Sequence, residues 1–187
     1  LMCWLYIATF GSFIGFAAGF PLLIKTQFPG VDPLKFAFLG PLVGALVRPV
    51  GGWMADKLGG ARVTLWNFVV MIAAVFGVLE FLPHDGGAGN FYGFLAMFML
   101  LFITTGIGNG STFRMIPVIF RTFHERLTSK ASADEKAAAM KGAGKESAAV
   151  LGFSSAVAAY GAFFIPKSFG TSMALTGGPQ TALYVFM

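Results

Sequence analysis

The chain has 187 residues and a formal net charge of +5; 56% of the residues are hydrophobic and only 11% are charged. Soluble domains carry about 25% charged residues, so this composition excludes an ordinary soluble protein and predicts a membrane protein. The single cysteine, Cys3, excludes a disulfide framework within the chain. The chain starts and stops inside apolar runs, and no basic segment precedes the first. We therefore expect that the first run is not a signal peptide and that the chain is a piece of a longer polytopic protein.

Apolar runs long enough to cross a membrane recur along the chain. A spanning helix needs about 20 residues, and the predicted spans are 1–24, 36–60, 63–82, 91–120 and 147–166, with a last, incomplete one from about Pro179. A glycine-rich turn is predicted at 83–90, and the one long hydrophilic segment, 121–146, is predicted to be a loop. Gly11, Gly15 and Gly19 recur every four residues on the first span, which predicts a close-packing face.

Lysine and arginine are distributed unevenly between the two sides of the predicted bundle. One side has Lys57, Arg62, Arg121, Arg126, Lys130, Lys136, Lys141 and Lys145, and the other has Lys25, Lys35 and Lys167. Cytoplasmic loops carry the excess of basic residues, so segments 56–62 and 121–146 are predicted to be cytoplasmic. Because the positive charge is largely this topological signal, we expect no nucleic-acid partner.

Arg48 stands alone near the middle of the second span. An arginine at that depth costs roughly 2.5–3.5 kcal/mol or more, so it is expected to face a polar cavity and to meet a negative group. The carboxylates all fall at helix ends or in loops, at Asp32, Asp56, Glu80, Asp85, Glu125, Asp134, Glu135 and Glu146. The predicted partner of Arg48 is therefore an anionic substrate.

The position of the acids also bears on the mechanism. Proton-coupled carriers commonly use an acid or histidine inside the membrane as the relay, and the apolar spans contain none. This pattern favours exchange of one monovalent anion for another. Proton-driven anion import is the mechanistic alternative, and a non-transporting membrane module, with Arg48 paired to an acid elsewhere in the protein, is the alternative of a different class.

Small and polar residues interrupt the fourth and fifth spans. The fourth contains GIGNGSTFRMIP, in which Gly106, Gly108 and Gly110 expose backbone and Asn109, Ser111 and Thr112 offer uncharged hydrogen bonds. On the fifth, Gly152, Ser155 and Ala159 share one face, and Ser154, Ala158 and Gly161 share an adjacent one. Such groups can contact an anion, but they also hold membrane helices together, and both interpretations stay open.

Other candidate groups are less informative. Tyr6 and Phe10 share a helix face at i, i+4, where a hydroxyl and two rings can contact a flat oxyanion or simply pack. Arg114 can extend to the cytoplasmic surface. Neither His84 nor His124 has a second ligand at metal spacing, and no catalytic constellation appears. We therefore expect no metal, no cofactor and no enzyme activity.

Sequence motifs give a family resemblance. The segment GGWMADKLGGAR, with Gly52, Asp56, Lys57 and Gly59, resembles the loop signature of the major facilitator superfamily between the second and third helices of each six-helix half. Gly106–Pro117 resembles the glycine-asparagine segment of NarK-type nitrate/nitrite porters. Gly152–Gly161 is similar to their nitrate signature, except that Ala159-Tyr160 replaces its Gly-Asn pair.

The resemblance to this family implies a fold, a substrate and roles for residues. It implies an all-α major facilitator half, with helices 7–10 in 1–120, a cytoplasmic loop at 121–146, and helix 11 and a truncated helix 12 in 147–187. Tyr6 and Phe10 on helix 7 and Arg48 on helix 8 would bind nitrate or nitrite, with contacts from Asn109 and Ser154 or Ser155. The implied setting is the bacterial cytoplasmic (inner) membrane, with an N-terminal half as partner.

Overall fold

The chain forms a bundle of α-helices. The computed structural model describes residues 2–83, 87 and 89–186. The helices are α1 (Met2–Gln27), α2 (Leu39–Leu58), α3 (Gly60–Phe81), α4 (Phe91–Leu127), α5 (Ala133–Ala159), α6 (Gly161–Thr176) and α7 (Gln180–Val185), with a 3-10 turn at Pro33–Lys35 before α2. No β-strand occurs among the described residues, and the predicted all-α class is confirmed.

Five segments of the described chain are long and apolar enough to cross a membrane. They are Met2–Gln27, Pro33–Leu58, Gly60–Phe81, Phe91–Leu127 and Ala133–Thr176, the last of which joins α5 and α6. The predicted polytopic membrane protein is therefore confirmed. The turn predicted at 83–90 lies in large part outside the described residues, as do His84 and Asp85.

The hydrophilic segment 121–146 is mostly helical, which corrects its prediction as a loop. α4 continues to Leu127, and α5 begins at Ala133 after a capping box in which Ser132 and Glu135 bond reciprocally. Alanine, lysine, glutamate, arginine and leucine have high helix propensity. The first two are abundant at the start of α5 and the last three end α4, so both helices extend past the apolar boundary. The 37 residues of α4 span about 56 Å, whereas the hydrocarbon core is about 30 Å thick. The cytoplasmic location of segment 121–146 stays a prediction.

The fifth span also ends later than predicted. The helix restarts at Gly161 after a break at Tyr160, and it continues through Pro166 to Thr176. A proline removes one helical hydrogen bond, but membrane helices tolerate it because neighbouring groups satisfy the freed carbonyl. A proline alone therefore did not mark the end of this helix.

Phenylalanine rings join α1 to α4 in the centre of the bundle. Phe20 is fully buried and stacks on Phe98 with ring centroids 4.7 Å apart, and Phe94 and Phe102 lie against the same cluster. Aromatic pairs of this kind contribute about 0.5–1.5 kcal/mol beyond the area they bury. They hold α1 beside α4, which fixes the position of Phe10 and Tyr6 about three and four turns away on α1.

Glycines allow α2 and α4 to approach each other closely. A Cβ atom at Gly51 would collide with the carbonyl of Ile107, and one at Gly110 would collide with the carbonyl of Arg48. Gly106 faces the carbonyl of Gly44 in the same way. Close backbone approach is the usual way in which membrane helices associate in lipid. It places the middle of α2 directly against the middle of α4.

The predicted glycine face on α1 is confirmed. A Cβ atom at Gly15 would lie 2.7 Å from the carbonyl oxygen of Gly161, and one at Gly19 would lie 2.8 Å from the ring of Phe169. Gly161 in turn faces the backbone of Gly11. The face therefore packs against α6, and Gly161 serves helix packing.

We predict that Gly51→Ala destabilises the full-length protein by about 1–3 kcal/mol, the usual cost of overpacking, because its methyl group meets backbone that cannot rotate away. The matched control is Gly144→Ala on α5, where nothing lies within 4 Å of the added Cβ. Thermal unfolding in detergent micelles measures both. Equal melting temperatures for the two variants would contradict the close contact between α2 and α4.

Candidate functional site

A cavity of about 370 Å³ opens where α1, α2 and α4 meet. Its walls bring together residues that the sequence placed on three separate spans: Tyr6 and Phe10 from α1, Arg48, Pro49 and Gly52 from α2, and Asn109, Gly110, Phe113 and Arg114 from α4. The fold thus gathers the candidate arginine, the aromatic pair and the candidate asparagine around one space.

Arg48 carries an uncompensated charge into this cavity. Its side chain is half-buried, and its Nε atom is buried without a hydrogen-bond partner. The guanidinium carbon lies 4.3 Å from the centroid of the Phe13 ring and 5.5 Å from that of Phe10. None of the described carboxylates forms a salt bridge with Arg48. Cation–π contacts reduce the cost of the charge but leave its hydrogen-bond donors available.

Phe13 is a functional candidate that the sequence analysis missed. It makes the closer of the two ring contacts with Arg48. Tyr6, Phe10 and Phe13 follow the i, i+4, i+7 spacing of one helix face. That spacing was the signal that could have identified it.

Asn109 contributes a second unsatisfied polar group. Its side chain is 3% exposed, and its amide nitrogen has no hydrogen-bond partner. A buried donor without a partner costs about 1–3 kcal/mol, so Asn109 is a second unsatisfied group in the walls of this cavity. The neighbouring hydroxyls serve packing instead, since Ser111 pairs with Thr64 of α3 and Thr112 with Thr9 of α1, each at 3.2 Å.

Tyr6 is held in place by a serine on α5. The Ser155 hydroxyl donates to the phenolic oxygen of Tyr6 at 3.2 Å, and the Tyr6 ring lies 5.5 Å from that of Phe10. Neither Ser155 nor Ser154 lines the cavity. Ser154 is fully buried and its hydroxyl has no partner. Ser155 therefore acts on the cavity through Tyr6.

The glycines predicted for function differ in their surroundings. Gly52 and Gly110 line the cavity, whereas Gly106 and Gly108 pack α4 against its neighbours. Gly152 is exposed, and nothing lies within 4 Å of an added Cβ. It therefore takes no part in helix packing within the described chain.

Comparison with known proteins gives the family. No protein-family model matches the chain. The nitrate/nitrite transporter NarU of Escherichia coli (strain K12) is 54% identical across the whole chain, and the match covers 40% of that protein. The probable nitrate/nitrite antiporter NarK2 of Thermus thermophilus is 36% identical, again across the whole chain and 38% of its own length. The chain belongs to the nitrate/nitrite porters of the major facilitator superfamily. It spans about two fifths of the length of these relatives.

Asp56 of the loop signature forms an ion pair that the sequence did not reveal. Nε of Arg114 on α4 lies 2.9 and 3.1 Å from the two carboxylate oxygens of Asp56 on α2. Both side chains are about half exposed, so solvent screens the pair and it contributes little to stability. The pair neutralises the charge of Arg114. Of the two arginines that line the cavity, Arg48 is therefore the one that has no carboxylate partner among the described residues.

Two other features of the signature have structural causes. Gly59 adopts φ +87° between α2 and α3, a conformation that favours glycine. The ammonium of Lys57 lies 4.4 Å from the ring centroid of Trp53, outside the cavity. Across the described residues of this porter chain, no three side chains of the His, Cys, Asp and Glu types cluster as a metal site would require.

We predict that Arg48→Met stabilises the anion-free, full-length porter by about 1–3 kcal/mol, because the substitution removes an unpaired charge while keeping its apolar contacts with the phenyl rings. Thermal unfolding in anion-free buffer measures the effect. As a control, Arg114→Met should not stabilise, since it leaves Asp56 unpaired. A lower melting temperature for Arg48→Met would instead indicate that an acid elsewhere in the protein pairs with Arg48, as in a non-transporting module.

Proposed function

We propose that the chain is the C-terminal half of a transporter that exchanges nitrate for nitrite across the bacterial cytoplasmic membrane by alternating access. The observation that carries this proposal is one cavity whose walls include both Arg48, with an unpartnered Nε, and Asn109, with an unpartnered amide nitrogen. The names of the relatives agree, since they are nitrate/nitrite transporters and a probable antiporter rather than enzymes.

The cavity suits a small, planar anion. A guanidinium is flat and offers parallel N–H groups that match two oxygens of nitrate or nitrite better than an ammonium does. The rings of Phe10 and Phe13 leave those donors free while excluding water from the guanidinium faces. Asn109 adds a neutral donor, which contributes selectivity without further charge.

Tyr6 adds a third donor because of how it is held. Its phenolic oxygen accepts the hydrogen bond from Ser155, so its own O–H proton remains available to an oxyanion. Ser155 thus orients the donor without touching the substrate. This role differs from the direct contact that the sequence analysis assigned to Ser154 or Ser155.

The charge balance of the site supports exchange. Asp56, on the same helix as Arg48, is half exposed and paired with Arg114. No acid lines the cavity among the described residues. In this mechanism the empty cavity resists closure around an unpaired arginine, and a bound anion offsets that charge. An N-terminal half would supply the opposite wall and a second arginine, and the two halves would rock about the site.

The proposal includes an orientation in the lipid bilayer. The segments 56–62 and 121–146 would face the cytoplasm, because they contain most of the basic residues outside the apolar spans. The helical extensions of α4 and α5 would then project into the cytoplasm, where the imidazole of His124 contacts the Glu146 carboxylate at 3.0 Å.

We predict that full-length protein in proteoliposomes loaded with nitrite takes up labelled nitrate, and that the uptake does not depend on a pH gradient. Arg48→Lys should lower the initial rate by roughly tenfold or more, since it loses a charge-assisted hydrogen bond and the planar fork. Arg126→Lys is the matched control, because this arginine is exposed at the end of α4 and lies outside the cavity.

Other outcomes of this assay separate the alternatives. Uptake into empty vesicles driven by a proton gradient would replace exchange with proton symport. Absence of uptake by folded protein would refute the transport function and favour a structural membrane module. Equal rates for wild type and Arg48→Lys would refute a specific role of the Arg48 guanidinium in binding the anion, while leaving the transport function intact.

We predict that Asn109→Leu, which keeps the size of the side chain and removes its polar groups, raises the KM for nitrate by roughly tenfold or more, the effect of losing a hydrogen bond to an anion. Ser111→Ala, two positions along α4, should leave the KM unchanged because its hydroxyl bonds Thr64 and does not line the cavity. Concentration dependence of exchange measures both. A KM for Asn109→Leu that equals the wild-type value would assign Asn109 to helix packing.

A further inference from the structure

A second cavity lies in a different part of the bundle. It has a volume of about 470 Å³ and opens between α2, α3 and α4. Its walls are mainly apolar, with Leu58, Val70, Leu100, Ile103 and Ile107 among them. It shares no lining residue with the cavity that contains Arg48. We call this second cavity the α3 groove.

The α3 groove has a cationic end. Arg62 lines it in the first turn of α3, and its side chain is exposed. Within the described part of the chain Arg62 forms no salt bridge. Asp56, a carboxylate close in sequence, is already paired with Arg114. The Arg62 guanidinium is therefore free to pair with an anion from outside the chain.

The rest of the groove runs along a membrane-spanning segment. From Arg62 to Val70 the α3 backbone rises about 12 Å, within the segment Gly60–Phe81 that is apolar enough to cross a membrane. Trp66, one turn from Arg62, lines the groove and is 68% exposed. Tryptophan is enriched where the membrane meets water, so Arg62 and Trp66 together indicate the level of the lipid headgroups.

These observations select the chemistry of the occupant. The mainly apolar groove at membrane depth does not suit a soluble anion. Its polar side chains besides Arg62 are Asn67, which bonds the Met71 sulfur, and Thr104, which bonds carbonyls of its own helix, so they would not replace the anion's hydration shell. A neutral hydrocarbon would leave the free charge of Arg62 unused. A molecule with an anionic head and an apolar tail satisfies both ends of the groove.

We propose that the α3 groove binds an anionic glycerophospholipid, with the phosphate on Arg62, the headgroup region beside Trp66 and one acyl chain along Val70, Ile103 and Ile107. The site is separate from anion exchange and does not rest on it. Long basic side chains next to a membrane helix attract anionic lipid in this way.

Native mass spectrometry of the full-length protein tests the site. Phosphatidylglycerol and phosphatidylcholine with the same acyl chains are added to detergent-purified protein, and the apparent Kd of the first bound lipid is compared. We expect tighter binding of phosphatidylglycerol, and a loss of about fivefold with Arg62→Gln, the factor equivalent to roughly 1 kcal/mol for one basic residue at the surface. Phosphatidylcholine binding should not change.

Two further variants make the result specific. Val70→Trp fills the groove and should weaken binding of both lipids, whereas Arg126→Gln removes an exposed charge outside the groove and should affect neither. Equal Kd values for the two lipids, or equal losses with Arg62→Gln and Arg126→Gln, would overturn the proposal. Unchanged binding in Val70→Trp would also overturn it, since a helix of another subunit or nothing would then occupy the groove.

Discussion

The close approach of α2 and α4 determines the position of the Arg48 charge. Gly110 leaves space for the carbonyl of Arg48, and Gly51 leaves space for that of Ile107. Because Asn109 is the neighbour of Gly110, the same contact that packs the two helices also brings the amide to the cavity that contains the guanidinium. A side chain at either glycine would separate the helices and with them the two unsatisfied groups. Packing and polar chemistry are thus set by the same few backbone contacts.

The two arginines of the cavity show how the surroundings of a charge determine its availability. Arg114 has an acid partner on α2, so its Nε already donates to both oxygens of a carboxylate. Arg48 lies against phenyl rings instead. Their cation–π contacts lower the cost of the charge, but the rings do not occupy its hydrogen-bond donors as a carboxylate would. An acid beside Arg48 would compete with any anionic ligand. Aromatic rings stabilise the same charge without that competition.

Sequence periodicity and composition were sufficient for the membrane helices and for the most prominent charge. A lone arginine in an apolar span and an aromatic pair at i, i+4 are local patterns, and the structure brings Arg48, Tyr6 and Phe10 to one cavity. Local patterns of this kind could not show whether a polar residue packs against another helix or lines the cavity. Asn109 and Ser111 are two positions apart, yet one lines the cavity and the other bonds Thr64 on α3. The difference depends on which neighbouring helix each faces, a property of the tertiary packing.

The ends of helices were predicted less well for a different reason. Hydropathy marks where the chain leaves the lipid, and it does not mark where the hydrogen-bond ladder stops. α4 therefore runs to Leu127, because Glu125, Arg126 and Leu127 favour helix in water as well, and α5 begins at Ala133, because its first part is rich in alanine and lysine. The pair between Asp56 and Arg114 was missed because its partners are 58 positions apart and lie on different helices.

α4 separates two chemically different environments. Asn109 and Phe113 are four residues apart and line the cavity with the unpaired arginine, whereas Ile103 and Ile107, also four apart, line the α3 groove. Residues four apart share a helix face, so each pair forms one wall, and the two walls point in different directions. The first wall contains the unsatisfied amide of Asn109, while the second is mainly apolar and its one hydroxyl, that of Thr104, bonds carbonyls of α4 itself. A small hydrated anion and a lipid chain would therefore each contact only the face of α4 that suits it.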